Sequence, residues 1–310
     1  MNYFKKTILS LISLILLFNI SVSSSSIIFG TRSIYNYDTR TIEQEHKTTI
    51  SANYETSDLS LNVKYHNTGS MLNWQDIHLR GARVNVEFDK APWGYDRTSL
   101  GIGYSVSSGG HFVDDDSTNY ANVINVLSPK TSLLDLTYEV FSLEDDKFIP
   151  GFGLDFNCLK LRNYDNRRFD FNHLGFSTGG LIAKYDVYKL GVYGGMRIRL
   201  VNSDSFALNA TGQLGAGLYL ALADWIYRQD FKHPVSFYDI ALSFRVAGGL
   251  EMGIRLGDDV ILFSEAQIFY ETSPGLGRSR QFLSDGDVGD QRIRFNLLRT
   301  SFSLGVKVEF

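Results

Sequence analysis

The residues best suited to chemistry in this 310-residue chain form two short clusters, and the first is Asp114-Asp115-Asp116. Asp114 and Asp116 are two positions apart, so they share a face of an extended segment. Like charges at close quarters raise the proton affinity of one member, which suits the pair to hold and polarise a water molecule. On spacing alone, a solvated acidic loop or a weak cation site is the more common explanation.

The second cluster is Asp230-Phe231-Lys232-His233. A carboxylate beside an imidazole fixes the tautomer of the ring and makes it a general base. In a regular strand Asp230 and His233 are three positions apart and point to opposite faces, so their pairing requires a one-residue bulge or a loop conformation. A loop histidine with a nearby aspartate is common, and this signal is weak by itself.

The elements that must position these clusters are strands, because apolar residues recur at every second position along most of the chain. The pattern is clear at the end of the sequence, where five apolar positions alternate with Ser303, Gly305, Lys307 and Glu309. Ten such stretches are separated alternately by short turns and longer connections. This predicts an all-β fold, a ten-stranded antiparallel transmembrane β-barrel with long extracellular loops and short periplasmic turns. A soluble β-sandwich is the alternative, but ten strands with one apolar face are better satisfied by closure in lipid. The five apolar positions that alternate with polar residues and glycine at the end of the sequence are Phe302, Leu304, Val306, Val308 and Phe310.

Two strands change the phase of their alternation. The first strand, near Thr48 to Tyr65, does so at Ser57 and Asp58, and the second does so at Gly81. A bulge at Gly81 explains the second change. The alternative explanation, which fits the pattern equally well, is that part of the strand stands above the bilayer, where outward residues need not be apolar.

Composition limits the remaining classes of function. The inward positions carry charges of both signs, which predicts a bore filled by ion pairs, and a barrel of this size is too narrow for a diffusive porin. The net charge of −4 gives no basic patch for nucleic acid. Cys158 is the only cysteine, so the chain has neither an internal disulfide nor a cysteine-based metal site. No metal site and no cofactor-binding motif is expected.

The N-terminus is typical of a secretory signal. Lys5 and Lys6 precede an apolar run from Ile8 to Ile20, and small residues near Ser23 offer a cleavage site. We therefore assign residues 1–23 to a signal peptide and 24–310 to an outer-membrane β-barrel, with outer-membrane lipid as its surroundings.

Four short motifs, in this order, resemble those of the omptin family of ten-stranded outer-membrane endopeptidases. The motifs are Met71-Leu72-Asn73-Trp74, Gly109 to Asp116, Ser128-Pro129-Lys130-Thr131, and Ala223-Asp224-Trp225. In the second motif, Phe112 replaces a methionine of the family. The third motif, Ser-Pro-Lys-Thr, stands where the family has His-Pro-x-Thr.

The resemblance implies an endopeptidase in which an aspartate pair and an Asp-His dyad activate a water molecule. Asp114 and Asp116 match the pair and His233 matches the base, with Asp230 expected to orient it. The family's dyad reads Asp-x-His, whereas Phe231 stands two residues before His233 here. The resemblance implies no cofactor and leaves a lipopolysaccharide dependence open. The rival interpretation is a catalytically inactive barrel used as an adhesin or surface interaction protein, and the corresponding partners are a polypeptide substrate or a host surface protein.

Overall fold

The computed structural model describes residues 48–88, 96–107, 109–115, 123–127, 129–142, 147–164, 180–226, 228–257 and 259–310. The predicted signal peptide, the segment up to residue 47 and Asp116 lie outside the described residues, and the signal peptide stays a prediction. No helix long and apolar enough to cross a membrane occurs in the described part of the chain.

The described chain forms thirteen antiparallel strand segments. Three pairs of segments each continue one another along a single span of the wall. In the first pair, β3 pairs with residues 80–88 of β2 and β4 pairs with residues 71–75 of the same strand. In the second pair, β5 pairs with β4 and β6 pairs with β3. In the third pair, β11 and β12 both pair with β10. The segments therefore make ten spans, and β1 closes the wall by pairing with both β2 and β13. The predicted ten-stranded antiparallel barrel is confirmed. The segments are β1 Thr48–Tyr65, β2 Met71–Phe88, β3 Arg97–Ser107, β4 His111–Asp115, β5 Val123–Leu127, β6 Lys130–Phe141, β7 Phe148–Tyr164, β8 Leu181–Asn202, β9 Phe206–Trp225, β10 Phe237–Arg255, β11 Val260–Thr272, β12 Gly277–Phe282 and β13 Val288–Glu309.

An apolar band surrounds one half of the barrel. We call the end at Thr48 and Phe310 the turn end and the opposite end the loop end. In the turn-end half, the outward side chains are large and exposed, as at Leu242, Phe244 and Phe302. Such a surface is stable in hydrocarbon and not in water.

The interior of the turn-end half is filled by ion pairs. Arg299 donates to Asp135 at 2.8 Å and also to Glu55. Arg245 donates to Asp155 at 2.5 Å. These groups line a polar cavity of about 190 Å³. The prediction of a charge-filled bore is therefore correct for this half.

The loop-end half has the opposite polarity, and this explains the phase changes seen in the sequence. On β1 the inward positions are polar up to Ser57 and apolar from Leu59 onwards, with no break in the alternation. On β2 the buried Leu79 faces inward and Val84, 42% exposed, faces outward, and the pairing is regular through Gly81.

Of the two explanations offered for the phase change on β2, the bulge at Gly81 is therefore wrong, and the strand that extends beyond the bilayer fits the structure. The apolar side chains move from the outside to the inside of the wall where the lipid ends, because the outward face then meets water. The real irregularity lies at Asp76, which has a φ of 53° and accompanies a register shift between β1 and β2.

An aromatic core closes the loop-end half. The ring of Trp74 stacks on Phe112 at a centroid distance of 4.7 Å and lies 4.9 Å from Tyr185. Trp225 and Phe237 pack against the same group at 4.8 Å from each other. Each of these rings is buried, so this layer blocks the barrel across its interior.

One buried carboxylate lies inside the aromatic core. Asp239 accepts hydrogen bonds on Oδ2 from the hydroxyls of Tyr65, at 2.9 Å, and Tyr185, at 2.5 Å. The residues on either side of it, Tyr238 and Ile240, lie opposite Arg280 and Arg278 on the neighbouring strand β12. Asp239 therefore lies at a level beyond the apolar band. Burial raises the pKa of Asp239 from 3.8 to about 6, although the nearby Ser279 hydroxyl and the hydrogen bonds from the two tyrosines oppose this shift.

The substitution Asp239→Asn tests whether burial raises the pKa of Asp239 in the folded barrel. Because the pKa is higher in the folded state, the carboxyl favours folding most at low pH, and this contribution is lost as pH rises from about 4 to about 6. A shift of about two units corresponds to about 3 kcal/mol. In urea unfolding of the refolded barrel, we expect the wild type to lose about this much stability between pH 4 and pH 8 relative to Asp239→Asn. Asp285→Asn, at an exposed loop acid, should follow the wild type; equal pH dependence in all three proteins would contradict the assignment.

Candidate functional site at the loop end

Asp114 lies on β4 at the top of the aromatic core. Its side chain is buried, and its Oδ2 accepts a hydrogen bond of 2.7 Å from the indole Nε1 of Trp225. Since β4 belongs to the third span and Trp225 ends the seventh, this bond crosses the barrel interior. The Asp114 carboxylate is therefore an anchor for Trp225 in this structure.

His233 lies in the loop between β9 and β10 and is bound through both ring nitrogens. Its Nδ1 lies 2.7 Å from Oδ1 of Asp224, and its Nε2 lies 3.2 Å from the carbonyl oxygen of Arg228. Carboxylate and carbonyl oxygens only accept hydrogen bonds, so each ring nitrogen already lies against an acceptor. In this arrangement the ring has no free nitrogen with which to take a proton from water.

Asp230 does not orient His233, which corrects the pairing expected from the sequence. Both Asp230 oxygens accept from Arg228, at 2.8 Å from Nε and 2.7 Å from Nη2. These hydrogen bonds lower the pKa of Asp230. The physical reason is local: a guanidinium two residues away offers a planar fork that matches the carboxylate. Asp224 takes the place beside His233.

The two halves of the expected catalytic centre lie on opposite faces of one strand. Trp225 points inward to Asp114, whereas the preceding residue, Asp224, belongs to the outer face by strand alternation and is buried there, bound to its cross-strand neighbour Lys184 at 3.2 Å. Consecutive residues of a strand face opposite sides of the sheet. Asp114 is therefore on the inner face of β9 and the bond to His233 is on the outer face.

Backbone hydrogen bonds hold this loop in place. The amide of Lys232 donates to the carbonyl of Phe282 at 2.9 Å, and the amide of Ser284 donates to the carbonyl of Asp230 at the same distance. Ser236 closes the loop, because its Oγ accepts from the amide of Trp225 at 2.8 Å. The loop and the β12–β13 turn thus form one continuous, hydrogen-bonded projection above the barrel.

Sequence reasoning missed the roles of Asp224 and Trp225. The Ala223-Asp224-Trp225 motif carries a family resemblance, but its spacing indicates no role for its members. An aspartate followed by a tryptophan at the end of a strand indicates a carboxylate on one face of the sheet and an indole N–H on the other. The partner of Asp224 is nine residues away across a loop, however, and no periodic pattern indicates that contact.

Comparison with known proteins places the fold. No protein-family model and no curated protein matches the chain. The outer membrane protease OmpT from Escherichia coli is 12% identical, with a TM-score of 0.53 and coverage of 86% of this chain and 96% of that one. The translocator domain of the autotransporter NalP from Neisseria meningitidis is 11% identical, with a TM-score of 0.45 over 85% of this chain and 88% of its own. At such identity the likeness to OmpT establishes the fold alone. The chain has the barrel fold of bacterial outer membrane proteins.

His233→Ala is expected to loosen the loop without unfolding the barrel. Hydrogen bonds with a charged partner contribute about 1.5–3 kcal/mol, which corresponds to roughly tenfold or more in local opening. Hydrogen exchange at the Lys232 and Ser284 amides should accelerate by this factor. Asp230→Asn, which leaves the Asp224–His233 contact intact, should change these amides less; the reverse ranking would contradict the assigned partner.

Proposed function

We propose that this protein is a surface interaction barrel of the bacterial outer membrane that binds polypeptide partners through its loop end. The observation that carries this proposal is the separation of Asp114 and His233 on the two faces of β9, with each side chain already bound to another group. A water molecule cannot be activated by both at once in that arrangement.

The filled interior disfavours transport as the function. Ion pairs occupy the turn-end half, and buried rings such as Trp74 and Tyr185 occupy the loop-end half. A solute would have to displace both layers in order to pass. The surfaces left for function are therefore the outer wall and the loops.

The loop projection is suited to recognition because it is held in one conformation before binding. Its backbone bonds to the β12–β13 turn reduce the entropy that a partner must overcome. The projection also presents Arg228, Asp230 and Lys232, a set of charged groups that fits a polypeptide surface.

Peptide hydrolysis is the second candidate, and one observation favours it. The Asp224–His233 contact of 2.7 Å has the geometry of a carboxylate that fixes an imidazole tautomer. In this mechanism Asp114 and Asp116 hold the water, His233 accepts its proton and Asp224, in place of Asp230, orients His233. The loop must first release Nε2 from the Arg228 carbonyl and carry the ring to the inner side. The fold shared with OmpT is compatible with this candidate.

A cleavage assay separates the two candidates. Cells displaying the barrel are given a quenched peptide library between pH 5 and 8, with and without added lipopolysaccharide. We expect no cleavage above that of cells without the barrel. Two results together would overturn the interaction proposal and establish hydrolysis. Cleavage would fall 100-fold or more in His233→Ala, which is the scale of general-base catalysis, and it would persist in Asp230→Asn.

An adhesion assay tests the interaction proposal directly. Displaying cells should adhere to immobilised extracellular protein more strongly than cells without the barrel. The double variant Arg228→Ala with Lys232→Ala should reduce adhesion several-fold, because it removes two charges from the projection. Arg162→Gln, on the wall away from the loop, is the matched control. Adhesion that is equal with and without the barrel would contradict the proposal.

A further inference from the structure

Two oxidisable side chains in the aromatic core of the loop-end half donate hydrogen bonds to carboxylates. Tyr185 donates to Oδ2 of Asp239 at 2.5 Å, and the indole Nε1 of Trp225 donates to Oδ2 of Asp114 at 2.7 Å. Tyrosine and tryptophan can each lose one electron, and the O–H or N–H group then becomes strongly acidic. A base that already accepts the hydrogen bond can take the proton as the electron leaves. The core thus contains two sites where an electron and a proton can be lost together.

The rings of these residues are packed closely enough to exchange an electron. The centroid of the Tyr185 ring is 6.3 Å from that of Trp225 and 4.9 Å from that of Trp74, and all three side chains are buried. Trp225 is the last residue of β9, and its amide donates to Ser236 in the loop that follows. An electron that leaves Tyr185 can therefore reach the loop end through Trp225.

Tyr185 is the ring at which the loss of an electron is best supported. The indole of Trp74 donates to Oδ1 of Asn163 at 3.2 Å, and a neutral amide does not take up the proton. Tyr65 also donates to Asp239, but over the longer distance of 2.9 Å. Among the described residues, Tyr185 combines a short bond to a carboxylate with two tryptophan neighbours.

A second hydroxyl group favours a radical at Tyr185. The hydroxyl oxygen of Tyr219 lies 2.9 Å from that of Tyr185. Because the Tyr185 proton is directed to Asp239, the proton in this second hydrogen bond belongs to Tyr219. The Tyr185 oxygen still accepts this bond after its own proton has left, and the bond stabilises the radical oxygen.

Burial favours the transfer of the proton to Asp239. The side chain is fully buried, and none of the ion pairs in the described part of the chain includes it. A buried carboxylate without a cation is costly. When the proton moves, the carboxylate becomes a neutral acid and Tyr185 becomes a neutral radical. Oxidation therefore removes a buried negative charge from the core.

We propose that Tyr185 is a redox-active tyrosine that reduces one-electron oxidants at the loop end, with Asp239 accepting its proton and Trp225 passing on its electron. In this step Tyr185 loses one electron and its O–H proton moves to Oδ2 of Asp239, while the oxidant gains the electron. The oxidant is a small radical such as an organic peroxyl radical, which becomes a hydroperoxide anion and takes up a proton from water. Only O–H bonds are broken or formed. The proposal does not depend on whether the loop end binds or hydrolyses polypeptides.

The test oxidises the folded barrel in detergent with a photogenerated tris-bipyridine complex of ruthenium(III), which takes the place of the radical oxidant. It is carried out at pH 8, where the Asp239 carboxyl, whose pKa burial raises to about 6, is ionised. Electron paramagnetic resonance of frozen samples measures the radical that remains after exposed tyrosyl radicals have decayed. The test variants are Tyr185→Phe and Asp239→Asn. The matched control is Tyr54→Phe, at a 55% exposed position of the outer wall.

We expect a persistent tyrosyl signal in the wild type. It should fall about tenfold or more in both test variants, because a positioned proton acceptor accelerates proton transfer by about 100-fold or more. The Tyr54→Phe control should leave it unchanged. Equal signals in the wild type and Tyr185→Phe, or a loss of the same size in Tyr54→Phe, would overturn the proposal. So would a persistent signal that ring-deuterated tyrosine does not alter, because the radical would then lie on tryptophan.

A measurement on the wild type alone keeps the test independent of the folding of the variants. When the barrel is refolded in D2O, electron–nuclear double resonance should detect two deuterons hydrogen-bonded to the radical oxygen, one shared with Asp239 and one from Tyr219. A radical oxygen without such deuterons, or the absence of a persistent tyrosyl radical in the folded wild type, would overturn the proposal.

Discussion

The structure depends on one constraint: each strand of the closed wall passes from lipid to water while its side chains keep alternating between two faces. In the turn-end half the outside must be apolar, so charges occupy the interior and neutralise each other. In the loop-end half the outside meets water, so the apolar residues occupy the interior. The change occurs within single strands, as between Ser57 and Leu59 on β1, without a break in the alternation.

This inversion gives the barrel two different fillings, and the second determines what the loop end can do. The aromatic layer around Trp74 and Tyr185 supports Trp225, and Trp225 in turn holds Asp114. Because the inner face of β9 is committed to this core, Asp224 and its partner His233 are left on the outer face. Packing thus places Trp225 and Asp224, which are consecutive in the chain, on opposite faces of the strand.

The fold was predictable from the sequence to a large extent, because the alternation of apolar residues is a local signal. It placed the first strand at Thr48 to Tyr65, as the structure has it, and predicted ten spans. The same signal is ambiguous at Gly81, because a bulge and a change of environment produce the same change of phase. The true bulge at Asp76 depends on a single left-handed residue and leaves little trace in the pattern.

The site was less predictable, because its contacts depend on loop conformation. Nothing in the spacing of Asp230 and His233 indicates that Arg228 binds the carboxylate first. Likewise, the bond between Asp114 and Trp225 joins residues that are 111 positions apart and becomes evident only when the barrel closes.

Cross-linking tests the central claim, the separation of Asp114 from His233, most directly. In a Cys158→Ala background, a short bifunctional thiol reagent should join Asp224→Cys to His233→Cys, whose native side chains are in contact, but should not join Asp114→Cys to His233→Cys across the strand. Efficient cross-linking of the Asp114–His233 cysteine pair in the folded barrel would contradict this account, because the two groups would then face one cleft.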